Sequence, residues 1–144
     1  MVAVLDGDNV RSGLNQGLGF SESDRQENIR RVAEVSKLFN DCGVICINSF
    51  ISPTDEVRTL AEDIIGADDF ILVFVDAPLE VCQERDVKGF YKKAKAGEIK
   101  NYTGIDADFE MPTKPDFVVD TTRQTAEESV NEVFEFIIPK IKLL

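Results

Sequence analysis

Two carboxylates, a carboxamide and a guanidinium fall within six consecutive residues, Asp6 to Arg11, in the run Leu5-Asp6-Gly7-Asp8-Asn9-Val10-Arg11. A carboxylate can take a proton from a substrate hydroxyl, and a guanidinium offers a planar fork of donors to phosphate-like oxygens. The plain alternative is an Asx-type turn beside a solvated arginine. A calcium loop does not fit, because that register needs a glutamate at its twelfth position and residue 17 is glycine. The chain has no histidine, which removes Ser-His and Cys-His nucleophiles and leaves acid–base work to carboxylates, lysine or tyrosine. Cys42, Cys46 and Cys82 lack metal-ligand spacing. They read as reduced, packed thiols.

A second basic group follows later, five lysines between Lys88 and Lys100. Such a run is either a solvated helix face or a counterweight to anionic ligands. The whole chain carries a net charge of −11, which argues against partnership with nucleic acid or an anionic membrane surface. The longest apolar run, Phe70 to Val75, suits a buried strand and not a membrane span. Met1 to Asp6 has no basic region before its apolar residues and does not read as a signal peptide, so the cytoplasm is the expected compartment.

The elements that must position these groups alternate. Val2 to Leu5 reads as a strand ending in turn formers, followed by a glycine-bearing loop from Ser12 to Gly19. Ser23 or Asp24 is expected to cap a helix carrying Ile29, Val32, Ala33, Leu38 and Phe39, with Gly43 ending it. Val44 to Phe50 reads as a second strand. Thr54 caps a helix with Val57, Leu60, Ala61, Ile64 and Ile65 on one face. Phe70 to Val75 has the look of a parallel strand covered on both sides, and a short helix starts near Leu79. Residues 86 to 104 read as a mobile excursion with some helix, Phe117 to Val119 as a last strand. The final helix carries Val130, Val133, Phe134, Ile137, Ile138 and Ile141, with Pro139 kinking or ending it. This is an α/β pattern, a parallel sheet with flanking helices in one domain, 1–144. Ligands in such sheets bind beyond the carboxyl ends of the strands, where Asp6–Arg11, Ser49–Ser52 and Asp76 fall.

The ordered series from Asp6-Gly7-Asp8-Asn9-Val10-Arg11 continues through Gly13-Leu14-Asn15, Leu18-Gly19-Phe20-Ser21 and Asp24-Arg25-Gln26-Glu27-Asn28-Ile29-Arg30-Arg31. Ser49-Phe50-Ile51-Ser52-Pro53, Asp86-Val87-Lys88-Gly89-Phe90-Tyr91-Lys92-Lys93-Ala94 and Ile99-Lys100-Asn101-Tyr102-Thr103-Gly104-Ile105-Asp106 complete it. From residue 2 to about Pro112 the chain resembles adenylylsulfate kinase. That family transfers the γ-phosphoryl of ATP to the 3′-hydroxyl of adenosine 5′-phosphosulfate in sulfate assimilation. The resemblance implies ATP with Mg²⁺, a homodimer and a P-loop nucleoside-kinase type of sheet.

By that resemblance Asp6 sits nearest the acceptor hydroxyl, as proton acceptor or Mg²⁺ ligand. Asp8, Asn9, Val10 and Arg11 line the sulfonucleotide site, and Arg11 and Arg25 grip its phosphosulfate. Phe20 and Tyr102 sandwich the adenine, Asn28 and the Ile51-Ser52 backbone complete the pocket, and Asn101 lies beside it. Lys88 approaches from the lysine-rich segment, which the family uses as a lid. Ser52 matches a serine that the family records as phosphorylated, although a serine without a base is a poor nucleophile. Plainer roles also stand: Arg25 and Arg30 as solvated helix residues, and Phe20 as a hydrophobic staple. The family's Gly-x-x-x-x-Gly-Lys-[Ser/Thr] loop occurs nowhere in the chain. The expectation is therefore a sheet without its first, central strand, phosphate loop and first helix, a unit on the order of thirty residues. Two central sheet edges would then lack partners, giving a marginal or aggregation-prone monomer unless another chain supplies the strand. The alternative function is a non-catalytic fragment that binds the sulfonucleotide or joins an intact subunit.

Overall fold

The computed structural model describes residues 1–141. The last three residues of the expected 1–144 span lie outside the described residues. The chain divides into two compact units, Met1–Phe70 with Ala107–Met111, and Ile71–Asp106 with the chain from Pro112 onward.

The first unit runs β1 (Val2–Asp6), α1 (Gly7–Ser12), α2 (Glu22–Asp41), β2 (Ile45–Ser49) and α3 (Asp55–Ile65), closed by a 3₁₀ turn at Ala67–Asp69. β1 and β2 are parallel, in a register from Val2 opposite Ile45 to Asp6 opposite Ser49. Both strands therefore end together, with their polar residues side by side. The buried core is Ile29, Val32 and Ala33 of α2, Val57 and Ile65 of α3, and Val10 of α1. Each fully buried branched side chain contributes about 1.5–3 kcal/mol.

The caps explain where these helices begin. α2 starts after Ser21 rather than Ser23 or Asp24: Ser21 is extended, and its hydroxyl accepts from the Asp24 amide at 3.2 Å. Ser23 and Asp24 already lie in the first turn, where the Asp24 carboxylate suits the helix dipole. Gly43 closes the helix with φ +74°, and the Val44 amide reaches back to Phe39 O at 2.9 Å. α1 was not expected, since its residues are turn formers. Asp6 makes it a helix by accepting from the Asp8 and Asn9 amides at 2.9 Å each. Thr54 caps α3 as expected.

The second unit contains β3 (Val73–Asp76), α4 (Leu79–Arg85), α5 (Phe90–Lys95), β4 (Phe117–Asp120) and α6 (Ala126–Ile137), then a 3₁₀ turn at Ile138–Lys140 that holds Pro139. β3 and β4 are parallel, Val73 opposite Phe117. Among the described residues the strands form two two-stranded sheets, β1 with β2 and β3 with β4.

Two expectations fail here. Val75 is 63% exposed and Val118 46%, so the β3 region is not covered on both faces. α6 packs on β4, burying Val119 and stacking Phe136 on Phe117 at 4.6 Å between centroids. The final helix also turns a different face inward. Val130, Phe134 and Ile138 stay exposed while Ser129 is buried. Residues 130, 134 and 138 form a separate stripe at i, i+4 spacing, and periodicity alone could not say which stripe packs.

Candidate functional site

Asp6 caps α1 and works with both carboxylate oxygens. Oδ1 accepts the two backbone amides, and Oδ2 accepts Asn9 Nδ2 at 2.6 Å. Oδ1 is thereby filled and Oδ2 keeps one acceptor position. Asp8 and Asn9 are exposed beside it, and Val10 is a core residue only 5% exposed.

A cavity of about 150 Å³ opens nearby in the first unit, lined by Gly7, Arg11, Phe20, Arg25, Asn28, Ile29 and the segment Ser49–Pro53. It is smaller than the roughly 300–1,000 Å³ that encloses a whole ligand. Such a cleft leaves part of a ligand outside it. Five expected site residues meet there in addition to Arg11: Phe20, Arg25, Asn28, Ile51 and Ser52.

The loop before α2 exists to seat the arginines. Arg11 Nη1 donates to Leu18 O at 2.9 Å and Gly19 O at 3.1 Å, which leaves Nε and Nη2 for an anion. Arg25 Nε donates to Phe20 O at 3.1 Å. Both guanidiniums lie over the Phe20 ring, 4.6 and 5.7 Å from its centroid. Phe20 stands at the staple position before the Ser21 cap, but its partner four residues into the helix is Arg25, not an apolar side chain. Phe20 is 47% exposed, so an aromatic surface faces solvent beside two half-buried cations. Arg30 instead pairs with Glu27 at 2.7 Å, as does Arg31. Those two hydrogen-bonded guanidiniums hold the Glu27 carboxyl down at about 2.

Two residues were missed by sequence reasoning. Asn15 is fully buried, and its Nδ2 donates to Asn28 Oδ1 at 2.9 Å. Asn28's amide oxygen is thereby engaged from behind the cavity wall. No periodicity marks a buried asparagine inside a polar loop. The other is Arg58, only 5% exposed. Its signal was its place on α3, next to Val57 and three residues before Ala61, on the apolar face. Arg58 Nε donates to Ser52 O at 2.9 Å, Nη1 to Asp55 Oδ1 at 2.7 Å, and Nη2 to Glu110 O at 2.5 Å. Ser52 has φ +37°, in the left-handed region. Among the described residues none is in hydrogen-bond contact with the Ser52 hydroxyl.

Lys88, Asn101 and Tyr102 belong to the second unit. Lys88 is exposed. Asp106 organises the other two, its carboxylate accepting from the Asn101 amide at 2.8 Å and the Tyr102 amide at 2.5 Å. The Tyr102 ring meets Tyr91 edge-on at 5.1 Å and Phe90 at 6.4 Å. Burial, and then the neighbouring Cys82 and Tyr102, push the Tyr91 phenol above its usual range.

Among the described residues no group of three or more Cys, Asp or Glu side chains could cage a metal. Asp6 can offer one carboxylate oxygen. That suits a Mg²⁺ whose shell is completed by nucleotide phosphates and water.

Comparison with known proteins identifies the family. The family model described as adenylylsulphate kinase matches residues 1–120. The adenylyl-sulfate kinase of Bacteroides thetaiotaomicron is 59% identical over 139 residues, covering 96% of this chain and 69% of that protein. That of Clostridium kluyveri is 52% identical over 139 residues, 96% of this chain and 69% of that protein. The structure of a Mycobacterium tuberculosis APS kinase in complex with AMPPNP and APS superposes with a TM-score of 0.87 at 46% identity, over 94% of this chain and 79% of that one. An α/β chain with these parallel strand pairs, this order of motifs and these relatives is a member of the adenylylsulfate kinase family, with the P-loop kinase fold.

Proposed function

We propose that this chain transfers the γ-phosphoryl group of ATP to the 3′-hydroxyl of adenosine 5′-phosphosulfate, giving 3′-phosphoadenosine 5′-phosphosulfate. The observation that carries the reading is the cleft in which Arg11 and Arg25 flank the exposed Phe20 ring. A ligand with an aromatic base at one end and a doubly anionic group at the other matches that pairing.

Phosphoryl transfer depends on positioning and charge stabilisation more than on covalent help from the protein. Arg11 and Arg25 take the phosphosulfate oxygens. Within the first unit Phe20 stacks on the adenine, and Asn28 with the Ile51-Ser52 backbone meets its edge. Asp6 stands at the 3′-hydroxyl, where the open acceptor position on Oδ2 takes the proton as the 3′-oxygen bonds to phosphorus and the bond from phosphorus to the bridging oxygen breaks. Ser52 is a wall residue in direct in-line transfer, since no described residue is hydrogen-bonded to its hydroxyl as a base. Lys88 and the lysines after it draw the polyanions in. Mg²⁺ carried with ATP would supply charge neutralisation to the transferring group; a Mg²⁺ held by Asp6 would take the same Oδ2 position, so the carboxylate serves as proton acceptor or as metal ligand and not as both. The cytoplasm, as the source of ATP, is the proposed compartment, and no described helix is long and apolar enough to cross a membrane. The proposed assembly is a homodimer, consistent with exposed Val2, Val4 and Ile47 on the β1–β2 sheet.

The test is a coupled assay of the purified chain with ATP, Mg²⁺ and adenosine 5′-phosphosulfate, beside titration calorimetry with the sulfonucleotide. The expected result is sulfonucleotide binding and 3′-phosphorylated product. Binding without product would reduce the chain to a sulfonucleotide half-site. A folded chain that does neither overturns the reading.

A further inference from the structure

Ser52 forms part of the cleft wall in a left-handed backbone conformation, φ +37°, that residues with a Cβ rarely adopt. Something outside the loop must keep it there. The residue placed to do so is Arg58, buried beneath the start of α3 and absent from the cleft lining. One of its three nitrogens donates to the Ser52 carbonyl, another to the Asp55 carboxylate, and the third to the Glu110 carbonyl. The guanidinium also lies 5.3 Å from the centroid of the Phe109 ring.

The surrounding bonds close a small frame. Glu110 N donates to Pro53 O at 2.8 Å, and Asp55 N donates to Glu110 Oε2 at 2.9 Å. Residues 52–55 and 109–110 are thus tied to each other through Arg58 and directly. A buried arginine is costly unless its donors are matched, and here each nitrogen has an acceptor on this frame. A lysine could not reach three divergent acceptors with the same rigidity.

We infer that Arg58 is a positioning residue for the sulfonucleotide cleft: its guanidinium fixes the Ser52 backbone in the left-handed conformation that shapes the wall at Ile51-Ser52. The inference deepens the proposed function and rests on it for ligand affinity, but not for the geometry of the loop.

The experiment separates the two. In ligand-free protein, the Ser52 backbone chemical shifts are followed by NMR in wild type, Arg58→Gln and Arg58→Lys. Arg58→Gln is expected to move them to extended-chain values and Arg58→Lys part of the way. Calorimetry with adenosine 5′-phosphosulfate then compares the Arg58→Gln change in the native and Ser52→Gly backgrounds. The affinity is expected to fall about ten-fold in the first and about three-fold or less in the second, because glycine adopts the left-handed conformation without help. A purely structural arginine would cost the same in both. Left-handed Ser52 shifts in folded Arg58→Gln, or equal losses in the two backgrounds, overturn the inference. If Arg58→Gln fails to fold, Arg58→Lys carries both readouts with the same expected directions. Moved Ser52 shifts in a protein whose wild type binds no sulfonucleotide would sink the proposed function and uphold the role of Arg58 in the loop.

Discussion

The arginines around the first unit's cleft and the lysine run of the second unit use positive charge in different ways. In the first, each arginine near the cleft is seated on the backbone: Arg11 on Leu18 O and Gly19 O, Arg25 on Phe20 O, Arg58 on Ser52 O. In the second, Arg85 is seated on Thr121 O and Oγ1, but the lysine run is different: Lys88, Lys92, Lys93, Lys95 and Lys100 are all exposed. Among the described residues none of the last four has a hydrogen bond to a backbone carbonyl, and Lys95 Nζ donates to the Gln83 side chain. What is specified there is the backbone. Asp86 accepts from the Tyr91 and Lys92 amides, and Asp106 accepts from those of Asn101 and Tyr102. A guanidinium can spend some donors on its own chain and still present others, whereas an ammonium is a mobile, strongly hydrated point charge. On the proposed function, the seated arginines recognise a shape and the lysine run attracts a charge.

The sharpest way to break that contrast is to take the fork away from the first unit. Arg25→Ala should weaken adenosine 5′-phosphosulfate binding by about ten- to one-hundred-fold, the equivalent of about 1.5–3 kcal/mol for hydrogen bonds to a charged group. Arg25→Lys should recover little of it, because charge without the fork is not what the seat provides. Titration calorimetry on both variants decides the matter. Full recovery by lysine would mean that the cleft, like the lysine run, works by charge alone.

The next effect concerns the second unit's backbone. Gly104 has φ +82°, and a Cβ there would come within 2.8 Å of Leu79 Cδ1. Gly104→Ala should lower the stability of the chain by about 1–3 kcal/mol, from a left-handed alanine and a forced shift of Leu79. Thermal unfolding measures it. An unchanged midpoint would show that the Asn101–Asp106 turn is not a fixed element, and the account of Tyr102 as a placed aromatic would go with it.

These two predictions also mark how far the sequence could be read. The motifs around Asp6, Arg11, Phe20 and Arg25 were legible because they fall at strand ends and helix starts, where turn formers and caps are visible in the residue types. Six of the named residues do line one cleft. The helical and strand segments were legible from apolar spacing, with small errors set by caps: Ser21 in place of Ser23, and α1 hidden because Asp-Gly-Asp-Asn is both a turn and a good helix start. The supports behind the cleft were not legible. Asn15 and Arg58 are polar residues whose burial depends on acceptors distant in sequence, such as Asn28 for the first and Glu110 for the second. Periodicity reports which face is apolar. It says nothing of which carbonyl a buried cation will find. The same limit explains α6, where two apolar stripes competed and only packing on β4 selected Phe136.

A smaller effect is expected from the lysines. Replacing Lys92, Lys93 and Lys95 by glutamine should raise the KM for ATP by only a few-fold at low salt, in the coupled assay. Near 0.15 M salt the difference should shrink, since the Debye length falls to about 8 Å and exposed charges are screened. A salt-independent loss would mean that one of these lysines is seated as firmly as Arg11, and the division between the units would have to be redrawn.

The smallest expected effect tests whether the first unit's other ion pairs belong to the recognition apparatus. Glu27 bonds Arg30 and Arg31 on α2, and its carboxyl is lowered from 4.5 to about 2 by those hydrogen bonds first and their charges after. A depressed acid contributes stability that is complete above pH 4.5 and is lost as the pH falls through 2. The carboxyl carbon of Glu27 should therefore show a flat NMR shift from pH 7 down to about 3.5, through the range in which ordinary glutamates titrate. Glu27→Gln should leave sulfonucleotide affinity unchanged, because neither Glu27 nor its two arginines line the cleft. Surface pairs of this kind contribute little to stability, so the variant should also stay folded. An ordinary titration near 4.5 would mean that Arg30 and Arg31 are drawn elsewhere in solution. A clear loss of affinity would be more telling still: it would show that the helix face beyond Asn28 also recognises the ligand, and that the seated arginines extend past the cleft described here.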